Sequence, residues 1–208
     1  MAGAKDSSMK KVLLYIHGRG GSAGETEQFK PYCGGYDLVG LDFEDFTPWG
    51  TSVPIQAAFE ALQKEYESVS ILANSIGAYF AMLALQSRPV EKALFISPIL
   101  NMEKLILDMM AWANVTEKEL REKGEIVTDF GETLSWEYLC FVREHPIRWN
   151  AATEILYAEQ DNMTSRETVD KFAQTHRAAL TVMPVGEHWF HTPEQLAFLG
   201  RWLERATK

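Results

Sequence analysis

Cysteine is scarce in this chain: only Cys33 and Cys140 occur in 208 residues. They lie far apart in unrelated local contexts, which excludes a disulfide framework and a CxxC metal or redox pair, so both are read as ordinary thiols. Long apolar runs are missing too. A membrane-spanning helix needs ~20 consecutive apolar residues, and no run approaches that length. The first run, Val12 to Ile16, passes directly into His17-Gly18 with no small-residue cleavage site after it. The expectation is a cytoplasmic protein without membrane insertion. Basic charge is outweighed, since 20 Lys and Arg stand against 29 Asp and Glu for a net charge of −9. Scattered cations in an acidic chain make no footprint for nucleic acid or an anionic membrane, so the expected partner is a small molecule that is not strongly anionic. No linker, charge block, repeat or metal-ligand spacing of His, Cys, Asp and Glu interrupts the sequence.

A chain of this size with 46% hydrophobic residues can bury one core, so residues 1–208 are read as a single domain. Residues 1–9, polar until the second methionine at Met9, read as a disordered leader. Short β-rich runs recur at Val12 to Ile16, Tyr36 to Leu41, Val69 to Ala73, Ala93 to Ser97, Glu154 to Ala158 and Leu180 to Met183. They are mostly apolar without clean alternation, as strands covered on both faces should be. Helical periodicity lies between most of them. Ile55, Ala58, Phe59 and Leu62 make one stripe over Ile55 to Tyr66, and Tyr79, Met82 and Leu83 make another that ends near Pro89. Alternating strands and helices predict an α/β fold with a mostly parallel sheet of about six strands flanked by helices. A last helix begins at the capping box Thr192-Pro193-Glu194-Gln195, carries Leu196, Leu199 and Leu203, and is expected on the sheet edge.

Residues 99–150 break the alternation and read as a small, mainly helical insertion over the carboxyl ends of the strands. Met102, Leu105, Ile106, Met109 and Met110 follow helical spacing, Thr116-Glu117-Lys118-Glu119 is a second capping box, and Gly124 is a stop. Glu125 to Ser135 around Gly131 suggests a hairpin, and Trp136 to Glu144 a short helix stopped before Pro146. Met109, Met110, Trp112, Trp136 and Phe141 are candidates for the wall of an apolar pocket, and Trp189 for a contact beside it. Each is equally readable as core of its own segment.

The chemistry is concentrated at Ser70-Ile71-Leu72-Ala73-Asn74-Ser75-Ile76-Gly77, where a buried strand turns sharply into a helix. Small residues at Ala73 and Gly77 let such a turn hold Ser75 in strained backbone at the strand's carboxyl end, the posture of a nucleophile. A serine hydroxyl is a weak nucleophile that needs a base, and the base needs an orienting acid. Glu159 and Asp161 follow the fifth strand, and His188 and His191 follow the sixth, so acids and histidines emerge on the same sheet edge as Ser75. Directly after the first strand comes His17-Gly18-Arg19-Gly20-Gly21-Ser22. It lacks the lysine and glycine spacing of a phosphate loop, and His17 is read as a brace for the loop. His145 and His176 read as solvated helix-end residues, and Asp42, Asp108 and Asp129 as structural.

From Val12 to Leu203 these residues resemble the α/β-hydrolase superfamily, with Ala73 in place of the first glycine of G-x-S-x-G. The resemblance implies a small serine esterase-like member with a short helical cap at 99–150. It implies Ser75 as nucleophile, Asp161 rather than Glu159 as acid, and His188 rather than His191 as base, in the superfamily's chain order. It further implies an oxyanion hole from the backbone N–H groups of Arg19 and Ile76, whose side chains would then be tolerant of change. The expected activity is hydrolysis of a carboxylic ester with a small to medium acyl group through an acyl-enzyme intermediate, with no cofactor. Thioester, amide or carbon–carbon bond hydrolysis, acyl transfer, and a non-catalytic binding module remain as alternatives.

Overall fold

Strands that are apolar on both faces can be satisfied only by a sheet with helices on either side, and this decides the architecture. The structure is a computed structural model and describes residues 10–208; the expected leader at 1–9 lies outside the described residues. The first half of the chain comprises β1 (Lys11–Ile16), α1 (Thr26–Phe29), β2 (Tyr36–Leu41), α2 (Pro48–Leu62), β3 (Ser68–Asn74), α3 (Ile76–Leu85) and β4 (Lys92–Ile96). Then follow α4 (Met102–Trp112), α5 (Glu117–Lys123), β5 (Glu125–Val127), β6 (Thr133–Ser135) and α6 (Trp136–Glu144). The chain closes with β7 (Ala152–Ala158), α7 (Arg166–His176), β8 (Ala179–Met183) and α8 (Pro193–Ala206).

Six strands pair in the order β2-β1-β3-β4-β7-β8, every pair parallel, while β5 and β6 form a separate antiparallel hairpin. All six carboxyl ends therefore share one edge. From β1 the chain moves outward to β2 and then returns to β3 on the other side of β1. This reversal opens a crevice between the loops that follow β1 and β3, the usual place for a ligand in a parallel sheet.

Alternate side chains of each strand feed two cores. Val12, Leu14, Ile16, Ile71 and Phe95 pack with α2, α3, the insertion and α7 on one face. Leu13, Tyr15, Leu72, Leu94 and Leu156 pack with Phe29, Cys33 and α8 on the other. Burial of each such side chain contributes about 1.5–3 kcal/mol. Cys33 and Cys140 are both free, and burial pushes the Cys33 thiol up to about 11.

Two expectations need correction. The helix expected at 55–66 is α2, which starts at Pro48. Thr47 caps it by accepting the Gly50 N–H at 3.0 Å, and Pro48 fills the first turn, where a missing N–H costs nothing. Gly50 and Pro54 hide this start from a reading of periodicity. Helix α8 covers the face of the sheet rather than its edge: Leu199, Trp202 and Leu203 are buried against strands β1, β3, β4 and β7, while Leu196 is exposed. Trp202, outside the leucine stripe, widens the buried face. No helix among the described residues is long and apolar enough to cross a membrane.

Candidate active site

Ser75 stands at the end of β3 with φ 53° and ψ −122°, a conformation that side chains rarely adopt. Close packing beneath it accounts for its neighbours. A Cβ on Gly77 would fall 2.4 Å from the Ile16 carbonyl oxygen and 2.7 Å from that of His17, so only glycine fits. A Cβ on Gly18 would lie 3.1 Å from the Ser75 Cβ. The Ala73 methyl is fully buried in the sheet core, so that position accommodates more than glycine.

From Ser75 a chain of hydrogen bonds runs inward. Ser75 Oγ lies 2.8 Å from His188 Nε2, and His188 Nδ1 lies 2.7 Å from Asp161 Oδ2. The Asp161 side chain has 0% exposure, and its Oδ1 accepts the amides of Met163 at 2.7 Å and Thr164 at 2.9 Å. A carboxylate that accepts at both oxygens keeps Nδ1 of the imidazole protonated and leaves Nε2 free to accept from the serine.

The rival residues lie elsewhere. Glu159 Oε2 accepts the Val185 N–H at 2.9 Å, and His191 Nδ1 bonds the Trp189 carbonyl at 2.8 Å and faces Glu187. The Glu159 contact joins the loops after β7 and β8, which Gln160 N–H donating to Gly186 O at 2.8 Å reinforces. Val185, an exposed β-branched residue, is held there at φ 58°. These ties keep the Asp161 and His188 loops in register, and periodicity of the sequence gives no sign of them.

The loop after β1 reaches the same point. His17 is buried, stacked on Phe43 at 4.1 Å, with Nδ1 2.8 Å from Gly18 O and Nε2 accepting from Phe43 N–H at 3.4 Å. It braces the loop. Farther along, the Tyr15 hydroxyl donates to Glu25; burial first, and then that carboxylate, push the phenol well above its usual range. Arg19 and Ile76 line one cavity with Ser75, and their N–H groups donate to no acceptor among the described residues. Two free amides beside a serine are the donors a developing oxyanion needs.

That cavity holds about 410 Å³. Ile99, Met102, Leu105, Ile106, Met109 and Met163 form much of its apolar wall, and most of these come from α4. Of the side chains expected there, Met109 is in the wall and the others are not. Met110 is buried in the core, and Trp136 packs partly buried against it. Phe141 stacks on His145 at 3.9 Å, and exposed Trp112 meets Phe130 edge-on. Trp189 points to solvent, stacked on His191 and bordering a separate hollow. The aromatic part of the wall comes instead from Phe46, Trp49 and Tyr138, whereas the rings of Trp112, Trp136 and Phe141 fasten elements of the insertion together. His145 is exposed as expected; His176 is instead half-buried, its Nδ1 2.9 Å from Trp149 O. Asp42 accepts the Ala23 N–H at 2.6 Å and Asp108 pairs with Lys104. No group of three His, Cys, Asp or Glu residues that could hold a metal occurs among the described residues.

No protein-family model matches the chain, and neither does any curated protein sequence. Similarity emerges in three dimensions. Est1E from Butyrivibrio proteoclasticus superposes with a TM-score of 0.77 at 15% identity, over 98% of this chain and 89% of that one. A proline iminopeptidase-related protein from Thermus thermophilus gives 0.63 at 19% identity, over 96% and 89%. A putative hydrolase of the alpha/beta superfamily from Xanthomonas campestris gives 0.57 at 13%, over 97% and 98%. The chain has the α/β-hydrolase fold. Within that fold the insertion spans the connection between β4 and β7, and its α4, β6 and α6 face Ser75 across the cavity. The hairpin is tied to the loop after β1 by an ion pair of Arg19 Nε with Glu132 Oε1 at 3.0 Å, and the guanidinium lies over Phe46. The Arg19 side chain thus makes contacts of its own, with Glu132 and Phe46.

Proposed function

We propose that this protein is a serine hydrolase that cleaves a neutral carboxylic ester through an acyl-enzyme intermediate. The observation that carries this reading is the continuous chain from Ser75 Oγ to His188 to buried Asp161, ending at a cavity with two unpaired amides.

In this mechanism Ser75 Oγ attacks the ester carbonyl while His188 Nε2 takes its proton. Asp161 stabilises the imidazolium and holds its orientation. The carbonyl oxygen, now negative, is received by the Arg19 and Ile76 amides, preorganised donors that need no solvent reorganisation as charge develops. Collapse of the tetrahedral intermediate expels the alcohol, protonated by His188. Water then repeats the sequence on the acyl enzyme and frees the acid.

The cavity's chemistry narrows the substrate. A volume of about 410 Å³ with a wall of aliphatic side chains and the rings of Phe46, Trp49 and Tyr138 suits a compact aliphatic or aromatic acyl group. Around it stand Glu44, Asp45, Glu125, Glu132 and Glu137, and the cation lining it among the described residues is Arg19, which is already paired to Glu132. Anionic substrates would meet repulsion without a free counter-charge. Because a structure of Est1E has ferulic acid bound, a feruloyl ester belongs beside short aliphatic esters among the trial substrates.

The test is turnover of a panel of neutral aryl and alkyl esters by the purified protein, by Ser75→Ala and by His188→Ala and His191→Ala. Loss of turnover in the first two with retention in the third is expected. Activity that survives Ser75→Ala, or that is lost only in His191→Ala, would overturn the assignment.

A further inference from the structure

The chain leaving β4 touches both ends of the hydrogen-bonded chain described above. Ser75 N–H donates to Ile96 O at 2.9 Å, and three residues later Ile99 N–H donates back to Ser75 O at 3.0 Å. Between them Pro98 O accepts the Thr164 hydroxyl at 3.0 Å, although the two residues are 66 apart in sequence. Thr164 is buried, and all of its polar groups are engaged. Its N–H holds Asp161 Oδ1 at 2.9 Å, its hydroxyl holds Pro98, and its carbonyl accepts the Tyr157 hydroxyl at 3.0 Å. The bracket itself is strained: Ser97, fully buried, sits at φ 41° while its N–H is fixed on Leu156 O at 2.8 Å. Strained backbone is retained where the surroundings over-determine it, and here both neighbouring strands do so.

We infer that Thr164 is a positioning residue: its side chain hangs the Asp161 loop from the same three-residue bracket, Ser97-Pro98-Ile99, that fixes Ser75, and so sets the separation of acid and nucleophile. The inference rests on the proposed serine mechanism for its kinetic consequence, but its structural content is independent of it. A hydroxyl bonded to a backbone carbonyl contributes here only by direction, since Thr164 does not itself line the cavity and its side chain bonds Pro98 rather than Ser75. Without it the Asp161 loop has one fewer tie, and an acid displaced by a fraction of an ångström serves the imidazole less well.

The test compares Thr164→Val and Thr164→Ala, which keep the amide and lose the hydroxyl, with Thr164→Ser, which keeps both. Expected for the first two are a kcat lower by about tenfold, a KM within about twofold of the parent, and recovery in Thr164→Ser. A weaker carboxylate contact disfavours the imidazolium, so the acid limb of the kcat/KM profile should move to lower pH in the hydroxyl-less variants and return in Thr164→Ser. The second readout needs no turnover: the downfield proton resonance of His188 Nδ1, identified by its loss in His188→Gln, should shift or broaden in Thr164→Val and Thr164→Ala. An unchanged resonance and acid limb in a folded hydroxyl-less variant would overturn the inference. So would unfolding of both variants beside a folded Thr164→Ser, which would make the role purely architectural. An inactive parent protein with the resonance responding as stated would instead count against the proposed function while leaving the bracket standing.

Discussion

His188 Nδ1 meets Asp161 Oδ2 at 2.7 Å, and the Asp161 side chain is sealed from solvent. A neutral amide in that place donates where it should accept and favours the wrong imidazole tautomer. Asp161→Asn should therefore lower kcat by about 10³–10⁴-fold, the scale known for this substitution in serine proteases. Glu159→Gln removes only a carboxylate on the Val185 N–H and should change kcat less than about threefold. Steady-state kinetics on a neutral ester separate the two.

The two small residues flanking Ser75 should behave differently. At Gly77 an added methyl meets backbone oxygens at 2.4 and 2.7 Å, atoms that cannot rotate away. Gly77→Ala should cost more than about 2 kcal/mol of stability, or abolish folding, with activity lost in step. Ala73→Gly restores the glycine common in this turn, should cost only about 1 kcal/mol, and should leave kcat within about twofold. Urea unfolding together with ester turnover checks both.

Charge around the cavity should be visible in kinetics. Between two esters of equal length, one neutral and one carrying a carboxylate, kcat/KM should favour the neutral one by about tenfold at low salt. The gap should narrow in 0.5 M salt as the carboxylates of Glu44, Asp45, Glu125 and Glu137 are screened at about 4–5 Å. A gap that ignores salt would place the discrimination in shape.

Arg143 ties the helices of the insertion together, with Nε on Glu103 at 2.7 Å and two nitrogens on Glu117 at 2.7 and 2.9 Å. Hydrogen bonds from Arg143 hold the Glu117 carboxyl below its usual range. A depressed folded value means the stabilisation is present above the ordinary glutamate range and is lost as pH falls through the folded value. Arg143→Ala should thus be less stable than the parent at pH 7, and the difference should shrink in strongly acidic buffer. Thermal melts at the two pH values test it.

Much of this was legible in the sequence because it rests on local rules. Six β-rich runs became the six parallel strands, and the capping boxes at Thr116 and Thr192 start helices as written. The hairpin around Gly131 is present, its glycine at φ 86°. Places after strands marked Ser75, an acid at 159 or 161 and a histidine at 188 or 191, the resemblance pointed to Asp161 and His188, and the structure brings these two into hydrogen-bonding contact with each other and with Ser75. Contacts between remote segments were not legible. The Thr164 bond to Pro98, the Arg19 pair with Glu132 and the strained Val185 arise only when loops from different strands meet. The cavity wall failed for a related reason: periodicity shows that α4 has a buried face, but not which of its methionines turn toward Ser75. Met102 and Met109 do, lining the cavity with Ser75, while Met110 packs into the core.

The central claim is that Ser75 is a nucleophile activated by His188. Treating the purified protein with a fluorophosphonate and mapping the adduct by peptide mass spectrometry tests it most directly. The expected result is one stoichiometric adduct on Ser75, lost in Ser75→Ala and formed far more slowly in His188→Ala. An adduct on another residue, or none on protein that still turns over ester, would contradict it.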